Sequence, residues 1–374
     1  PVSGNQTWEK VISKNLGADL NMFSNRLSLT ADFYSRDTKG ILGKGKSLPS
    51  IYGANEPQVN SNNLRTKGYE LVLGWRDSFK LAGSTFSYGI TGTFSDYTAE
   101  YTKCDNPSGL IGDPYVGKKY GEIWGYKVDG LFRNDEEAAE YASRVDLSKV
   151  AAGYYSATGA YGKGVRGGDI KYLDLDGSGI VDGGKGTLED PGDRRVIGNS
   201  SPRYQYGLTL NLSWYGFDLS VFMQGIGRLD WYPGADNLRF WGPYSRPYAT
   251  FIPKNFMSQV WSESNPDAYL PRARAYTSLN STQGTAYYTN DRYLQNLAYC
   301  RLKNLTLGYT IPKRLTSKVG IKECRVYFSG ENLATWSALK NDFLDPEQAA
   351  ADSDKKSNVY PWCRTYSVGL NLTF

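Results

Sequence analysis

The stretch Tyr204-Gln-Tyr-Gly-Leu-Thr-Leu-Asn-Leu-Ser-Trp214 decides how this chain is read, and Tyr366-Ser-Val-Gly-Leu-Asn-Leu-Thr-Phe374 repeats its pattern. In the first, Tyr204, Tyr206, Leu208, Leu210, Leu212 and Trp214 alternate with Gln205, Gly207, Thr209, Asn211 and Ser213. In the second, Tyr366, Val368, Leu370, Leu372 and Phe374 alternate with Ser367, Gly369, Asn371 and Thr373. A period of two is a β-strand with one apolar face and one small polar face. Weaker copies begin at Leu16, Leu27, Tyr69, Phe86, Phe217, Leu305 and Val326. The sequence therefore predicts nine strands, each of about eight to eleven residues.

The connections between these strands alternate in length. Short ones lie at Ser24–Arg26, Arg76–Ser84, Tyr215–Gly216 and Ile311–Lys322. Long ones lie at roughly 40–65, 98–203, 226–300 and 335–363. A soluble sandwich also alternates along its strands, but its turns recur every 8–12 residues or so. Short turns at one end and long loops at the other are the pattern of an outer-membrane barrel, with short periplasmic turns and long extracellular loops. The expectation is an all-β, transmembrane antiparallel β-barrel. Residues 1–97 supply four strands, 98–203 a long extracellular loop with a small subfold, and 204–374 five strands with two further long loops. An odd number of strands cannot close a single-chain bacterial barrel, and an open edge in lipid is costly. Further strands are thus expected outside this sequence, which starts at Pro1 in what reads as mid-loop.

Composition narrows the chemistry. The 374 residues include no histidine, which excludes His-based acid–base catalysis and His-ligated metals. Tyr (30) outnumbers Phe (14), and a ring with a wet hydroxyl suits half-buried strands and membrane interfaces. The net charge of +5 is spread along the chain without a basic block, so nucleic acid is not an expected partner. Cys104, Cys300, Cys324 and Cys363 lack the spacing of a zinc site or a disulfide framework. No run of about 18 apolar residues offers a transmembrane helix.

Six ordered blocks carry a family resemblance: those beginning at Asn63 (Asn-Leu-Arg-Thr-Lys-Gly-Tyr-Glu-Leu), Gly121 (Gly-Glu-Ile-Trp-Gly-Tyr-Lys-Val-Asp-Gly-Leu-Phe), Gly168 (Gly-Asp-Ile-Lys-Tyr-Leu-Asp-Leu-Asp-Gly), Arg195 (Arg-Val-Ile-Gly-Asn-Ser-Ser-Pro-Arg-Tyr), Arg301 (Arg-Leu-Lys-Asn-Leu-Thr-Leu-Gly-Tyr) and Tyr327 (Tyr-Phe-Ser-Gly-Glu-Asn-Leu). From about Trp8 to Phe374 the chain resembles the C-terminal part of the SusC/RagA family, TonB-dependent outer-membrane transporters of Bacteroidota. The resemblance implies a plugged barrel of about 22 strands. It also implies active import of an oligosaccharide or peptide, a SusD-like surface lipoprotein over the long loops, and TonB acting on a plug outside this sequence. No bond chemistry is implied. A passive porin or structural barrel is the competing reading, and a soluble carbohydrate-binding β protein a third.

The most specific chemical motif is Asp174-Leu-Asp-Gly-Ser-Gly-Ile-Val-Asp182. It matches an EF-hand-type calcium loop through the ninth position: side-chain oxygens at Asp174, Asp176, Ser178 and Asp182, a glycine at Gly179, and the Ile180 carbonyl at the seventh place. The twelfth place is Lys185, which cannot be a ligand. The resemblance implies an acidic residue just before an Arg, a context that Asp193-Arg194 occupies after an apparent insertion, Gly183–Gly192. The expected set is Asp174, Asp176, Ser178, Ile180, Asp182 and Asp193 around a structural Ca²⁺, with Glu189 and Asp190 as substitutes for Asp193. The bland reading is an Asp/Gly-rich turn. A glycosidase pair drawn from Asp174, Asp176 and Glu189 would lack an apolar pocket to raise a pKa. Asn134 is expected to cap a short helix within the longest loop. Of the tryptophans, Trp75 and Trp214 belong in a periplasmic girdle. Trp231 and Trp241 lie mid-loop, where exposed rings would contact a ligand or partner.

Overall fold

The computed structural model describes the chain apart from residues 1–5, 45–50, 52, 54–56, 156–163, 247, 249, 251, 275–278, 280–283, 342 and 352–359. Nine long strands form one antiparallel sheet: β1 (Lys10–Met22), β2 (Leu27–Lys44), β3 (Gln58–Leu81), β4 (Ser84–Lys103), β5 (Arg203–Trp214), β6 (Phe217–Arg228), β7 (Tyr299–Thr310), β8 (Glu323–Ser337) and β9 (Thr365–Thr373). Each strand pairs only with its sequence neighbours, so the sheet is an up-and-down meander.

The register lines up the apolar positions of all nine strands on one face. One row runs Met22, Leu27, Trp75, Ile90, Leu210, Val221, Leu305, Gly330, Tyr366. The opposite face carries Asn211, Ser220, Thr306, Ser329 and Ser367 in a single row. A one-residue slip of any strand would place its polar set among the apolar side chains, so the pattern fixes the pairing. The 12 residues of β5 rise about 3.3 Å each, and a tilt of about 40° gives a span of roughly 30 Å, the hydrocarbon thickness of a bilayer. The apolar face is the lipid face, because backbone and polar side chains need water or protein on the other side.

Three of the short turns are tight. Ala82-Gly83 and Tyr215-Gly216 have positive φ at both central residues, the left-handed geometry that matches strand twist in a two-residue hairpin. Phe23, Ser24 and Asn25 turn the first hairpin, also at positive φ. Aromatic rings gather at this end: Phe23 with Trp75 (6.1 Å between centroids), Phe79 with Phe86 (5.3 Å), and Phe217 with Tyr309 (4.5 Å). Trp75 and Trp214 sit among them, as a girdle at the periplasmic interface requires.

Two features differ from the sequence reading. The strands β2, β3 and β4 have 18, 24 and 20 residues, well beyond the expected length, and the first long connection shrinks to 45–57. The extra pairing joins Lys39–Lys44 to Gln58–Asn63. That segment sets Ile41, Leu42 and Val59 among polar residues and glycines without a period of two, so it carries no alternation to read. The second is that the hydrophobic core of the long loop is continuous with residues of other loops.

Candidate functional site

Among the described residues, every member of the buried hydrophobic cluster lies outside the nine wall strands. It draws on the loop before β5 (Phe132, Leu147, Tyr154, Ile170, Tyr172), the loop before β7 (Trp231, Tyr232, Phe240, Trp241, Tyr293) and the loop before β9 (Leu344, Ala349). Three loops distant in sequence thus share one core at the long-loop end of the sheet. The helix α1 (Asp135–Arg144) belongs to it. Asn134 Oδ1 accepts the Glu137 N–H at 2.8 Å, and Glu137 Oε2 accepts the Arg133 N–H at 2.7 Å, a reciprocal cap.

The core is rich in tyrosine, and its hydroxyls are satisfied from the backbone. Tyr232 donates to the Tyr288 carbonyl at 3.0 Å, and Tyr244 to the Pro271 carbonyl at 2.5 Å. Asn290 Nδ2 donates to Tyr232 Oη at 3.1 Å. Burial holds the Tyr172 and Tyr232 phenols well above their ordinary range. One ion pair is fully enclosed: Arg274 Nε donates to Asp169 Oδ1 at 2.8 Å, and the guanidinium lies 4.1 Å from the Tyr154 ring. Burial raises the Asp169 carboxyl despite that partner.

Trp231 and Trp241 are corrected by this arrangement. They are 5 % and 0 % exposed, so neither presents a ring to solvent. Trp241 stands edge-on to Tyr293, at 5.0 Å between centroids, and donates to the Gly234 carbonyl. A mid-loop position explained them as contact rings only while the loops were imagined as solvated. Exposed tryptophans at this end include Trp8, Trp336 and Trp362. Trp336 lies opposite Cys300 in the ladder, and Lys303 Nζ lies 5.1 Å from the Trp362 ring.

The acidic loop assembles part of the expected set. A carboxylate oxygen from each of Asp174, Asp176 and Asp193 lies within 4.8 Å of the others. Asp193 is fully buried; its oxygens accept the Leu175 N–H at 2.6 Å and the Asp182 N–H at 2.9 Å. Asp174 accepts from Gly177 and Gly179, and Asp176 from Ser178. The insertion brings Asp193 home because Gly184 and Gly192, both at positive φ, pack backbone to backbone, where a Cβ on either would collide with the other. The Asp193 N–H then reaches the Asp182 carbonyl at 3.0 Å.

Three expected ligands are placed differently. The Asp182 carboxylate accepts the Gly184 N–H at 2.7 Å, on the insertion side. Ser178 Oγ donates to the Ile180 carbonyl at 3.0 Å, so those two oxygens face each other. Asp190 sits beside Lys185 rather than in the cluster, and Glu189 is not part of it either. Burial pushes the Asp193 carboxyl up, while hydrogen bonds from Ser178 hold that of Asp176 down. Three hard carboxylate oxygens in one concavity fit a hard divalent cation, Ca²⁺ above all, with water and backbone oxygens completing its shell.

The polar face of the sheet is also organised. Asp218 on β6 and Arg325 on β8 pair at 2.9 Å across β7, where Gly308 leaves the space that a Cβ would fill. Near the short turns Arg26, Arg76, Ser213 and Asp218 line an open basin of about 980 Å³. At the other end Arg301, on the polar face of β7, binds Asp345 at 2.7 Å and Glu347 at 2.8 Å, and Lys303 adds a second bond to Glu347 at 2.8 Å. These pairs fasten the loop before β9 to the inner wall.

No family model matches the chain. Over 392 residues it is 26% identical to TonB-dependent receptor P3 of Formosa agariphila, a match that covers 99% of this chain and 34% of that protein. It is 21% identical to TonB-dependent receptor SusC of Bacteroides thetaiotaomicron, over 99% of this chain and 32% of the relative. The chain therefore spans about a third of the length of these relatives. Among solved structures, the RagAB peptide transporter matches with a TM-score of 0.66 at 21% identity, covering 98% of this chain and 36% of that one. The RagAB peptide importer in its open-open state matches at 0.63 and 20%.

Proposed function

We propose that this chain is a portion of a SusC/RagA-like TonB-dependent receptor, an outer-membrane β-barrel, and forms part of the wall and the extracellular roof of an active nutrient importer. The observation that carries the reading is the division of the molecule: a sheet apolar on one face and polar on the other, topped by one packed domain made of three loops. A passive pore needs no such roof. A transporter that captures cargo at the surface does, because capture needs a shaped and rigid surface.

The basin near the short turns then faces the plug, and the loop domain faces a SusD-like lipoprotein that would close over cargo. The cargo is an oligosaccharide or a peptide; the likeness to a peptide transporter in fold supports the second class without excluding the first. TonB would act on the plug. The chain performs no bond chemistry in this scheme: wall, latch and loop core position other parts. Asp174, Asp176 and Asp193 would hold a structural Ca²⁺, which neutralises their charge and ties the insertion to the motif loop.

Uptake assays on cells carrying the full-length receptor test the reading. Labelled peptides and oligosaccharides should enter only when both receptor and TonB are present. Uptake that persists without TonB, or with a protonophore, would favour the passive barrel.

A further inference from the structure

The outward face of β1–β4 changes character above its aromatic row, and that change has a binding partner. Leu16, Phe33 and Tyr69 are mutual ladder partners, Tyr69 contacts Phe94, and Phe94 stacks on Tyr204 at 6.4 Å. Rings at this height mark the upper edge of the hydrocarbon. The next outward row towards the long loops is Lys14, Ser35, Lys67, Thr98; then come Ile12, Asp37, Arg65, Glu100; then Lys10 and Lys39. Successive outward rows are two residues apart, so with strand tilt each stands roughly 5 Å higher. The three rows fill the headgroup layer and the first layer of water beyond it.

Their charge is one-sided. Asp37 is taken by Arg65 at 2.7 Å and Glu100 by Lys119. Lys10, Lys14, Lys39 and Lys67 are exposed and have no ion-pair partner among the described residues. The inward face of the same strands is mixed, with Asp19, Asp32 and Glu70 beside Arg36, Arg76 and Lys80. We propose that this outward strip binds the phosphate-bearing headgroups of outer-leaflet lipid, the lysines acting as flexible point charges that rise from the wall into the headgroup layer. Charge complementarity and continuity with the lipid-facing band select this occupant over a protein partner, which would meet the receptor at its roof. The inference rests on the barrel reading and deepens it.

The test uses the full-length receptor, purified from outer membranes and exchanged into phosphatidylcholine bilayers with a minor fraction of phosphatidic acid. The lipid retained on the receptor is compared with the bulk. Wild type should hold phosphatidic acid several-fold above its bulk share, and high salt should lower that excess. The triple variant Lys14→Gln, Lys39→Gln, Lys67→Gln should fall to near the bulk share, while the Arg triple should keep the excess. Equal retention by wild type and the Gln triple would overturn the proposal, as would full displacement by inorganic phosphate, which would mean a free-phosphate site. A wrong barrel reading would show earlier, as receptor missing from the outer-membrane fraction, so the two failures are distinguishable.

Discussion

The wall and the roof of this molecule obey opposite rules of burial. In the wall, apolar side chains such as Leu370 and Val368 face outward, and nothing in the chain covers them. In the roof, Trp241, Tyr154 and Phe132 are enclosed as in any water-soluble domain. The difference is one of solvent. Lipid completes the wall, so its strands need only alternate. Water surrounds the roof, so its loops must bury one another's apolar surface and satisfy every tyrosine hydroxyl from within. Damage to one region should therefore leave the other standing.

The largest effect should come from the roof. Trp241→Ala removes a fully enclosed ring and should cost about 3–5 kcal/mol of loop-domain stability. Asp169→Asn, which removes the negative charge from the buried Arg274 pair, should cost a similar amount. Both variants should still insert as barrels but become protease-sensitive at the loops. Loss of membrane insertion as severe as loss of the roof would break the separation.

In the wall, Leu370→Arg should cost roughly 2–4 kcal/mol near the bilayer midplane, whereas Asn371→Arg on the polar face should cost far less. Outer-membrane yields of the two variants, measured together, check this. Equal yields would mean that the faces are misassigned.

These two regions were not equally legible in the sequence. The wall was, because alternation at Tyr204–Trp214 and Tyr366–Phe374 is a local signal, and loop-length parity orders the strands. Trp231 and Trp241 were misread because their neighbours, Gln295 for one and Tyr293 for the other, are brought in from some 50 or 60 residues away. The acidic loop falls between. Its Asp174–Asp182 segment is a local motif, and the match of Asp193 to the family context survives an insertion. The turning of Asp182 towards Gly184 depends on how that insertion closes, which no local pattern records.

A smaller effect sharpens the account of that loop. Gly192→Val places a Cβ against the Gly184 backbone at φ 57°, and should cost at least about 1–2 kcal/mol locally. It should move Asp193 away from Asp174 and Asp176 and lower calcium affinity, read by calorimetry on the full receptor. The smallest effect concerns pH. Burial raises the Asp193 carboxyl from its ordinary value, so protons compete for it sooner than for a free aspartate. Calcium binding must release that proton, and affinity should fall as pH drops towards this raised value. Affinity that stays flat through mildly acidic pH would remove Asp193 from the ligand set.

The central claim is that one face of the sheet lies against lipid and the other against a filled lumen. A nitroxide scan of Leu208, Thr209, Leu210, Asn211 and Leu212 in the full-length receptor, with native cysteines replaced, tests it most directly. Labels at Leu208, Leu210 and Leu212 should be relaxed by oxygen, which concentrates in the bilayer. Labels at Thr209 and Asn211 should be shielded from it. Uniform relaxation along the five positions, or alternation of the opposite phase, would contradict the account.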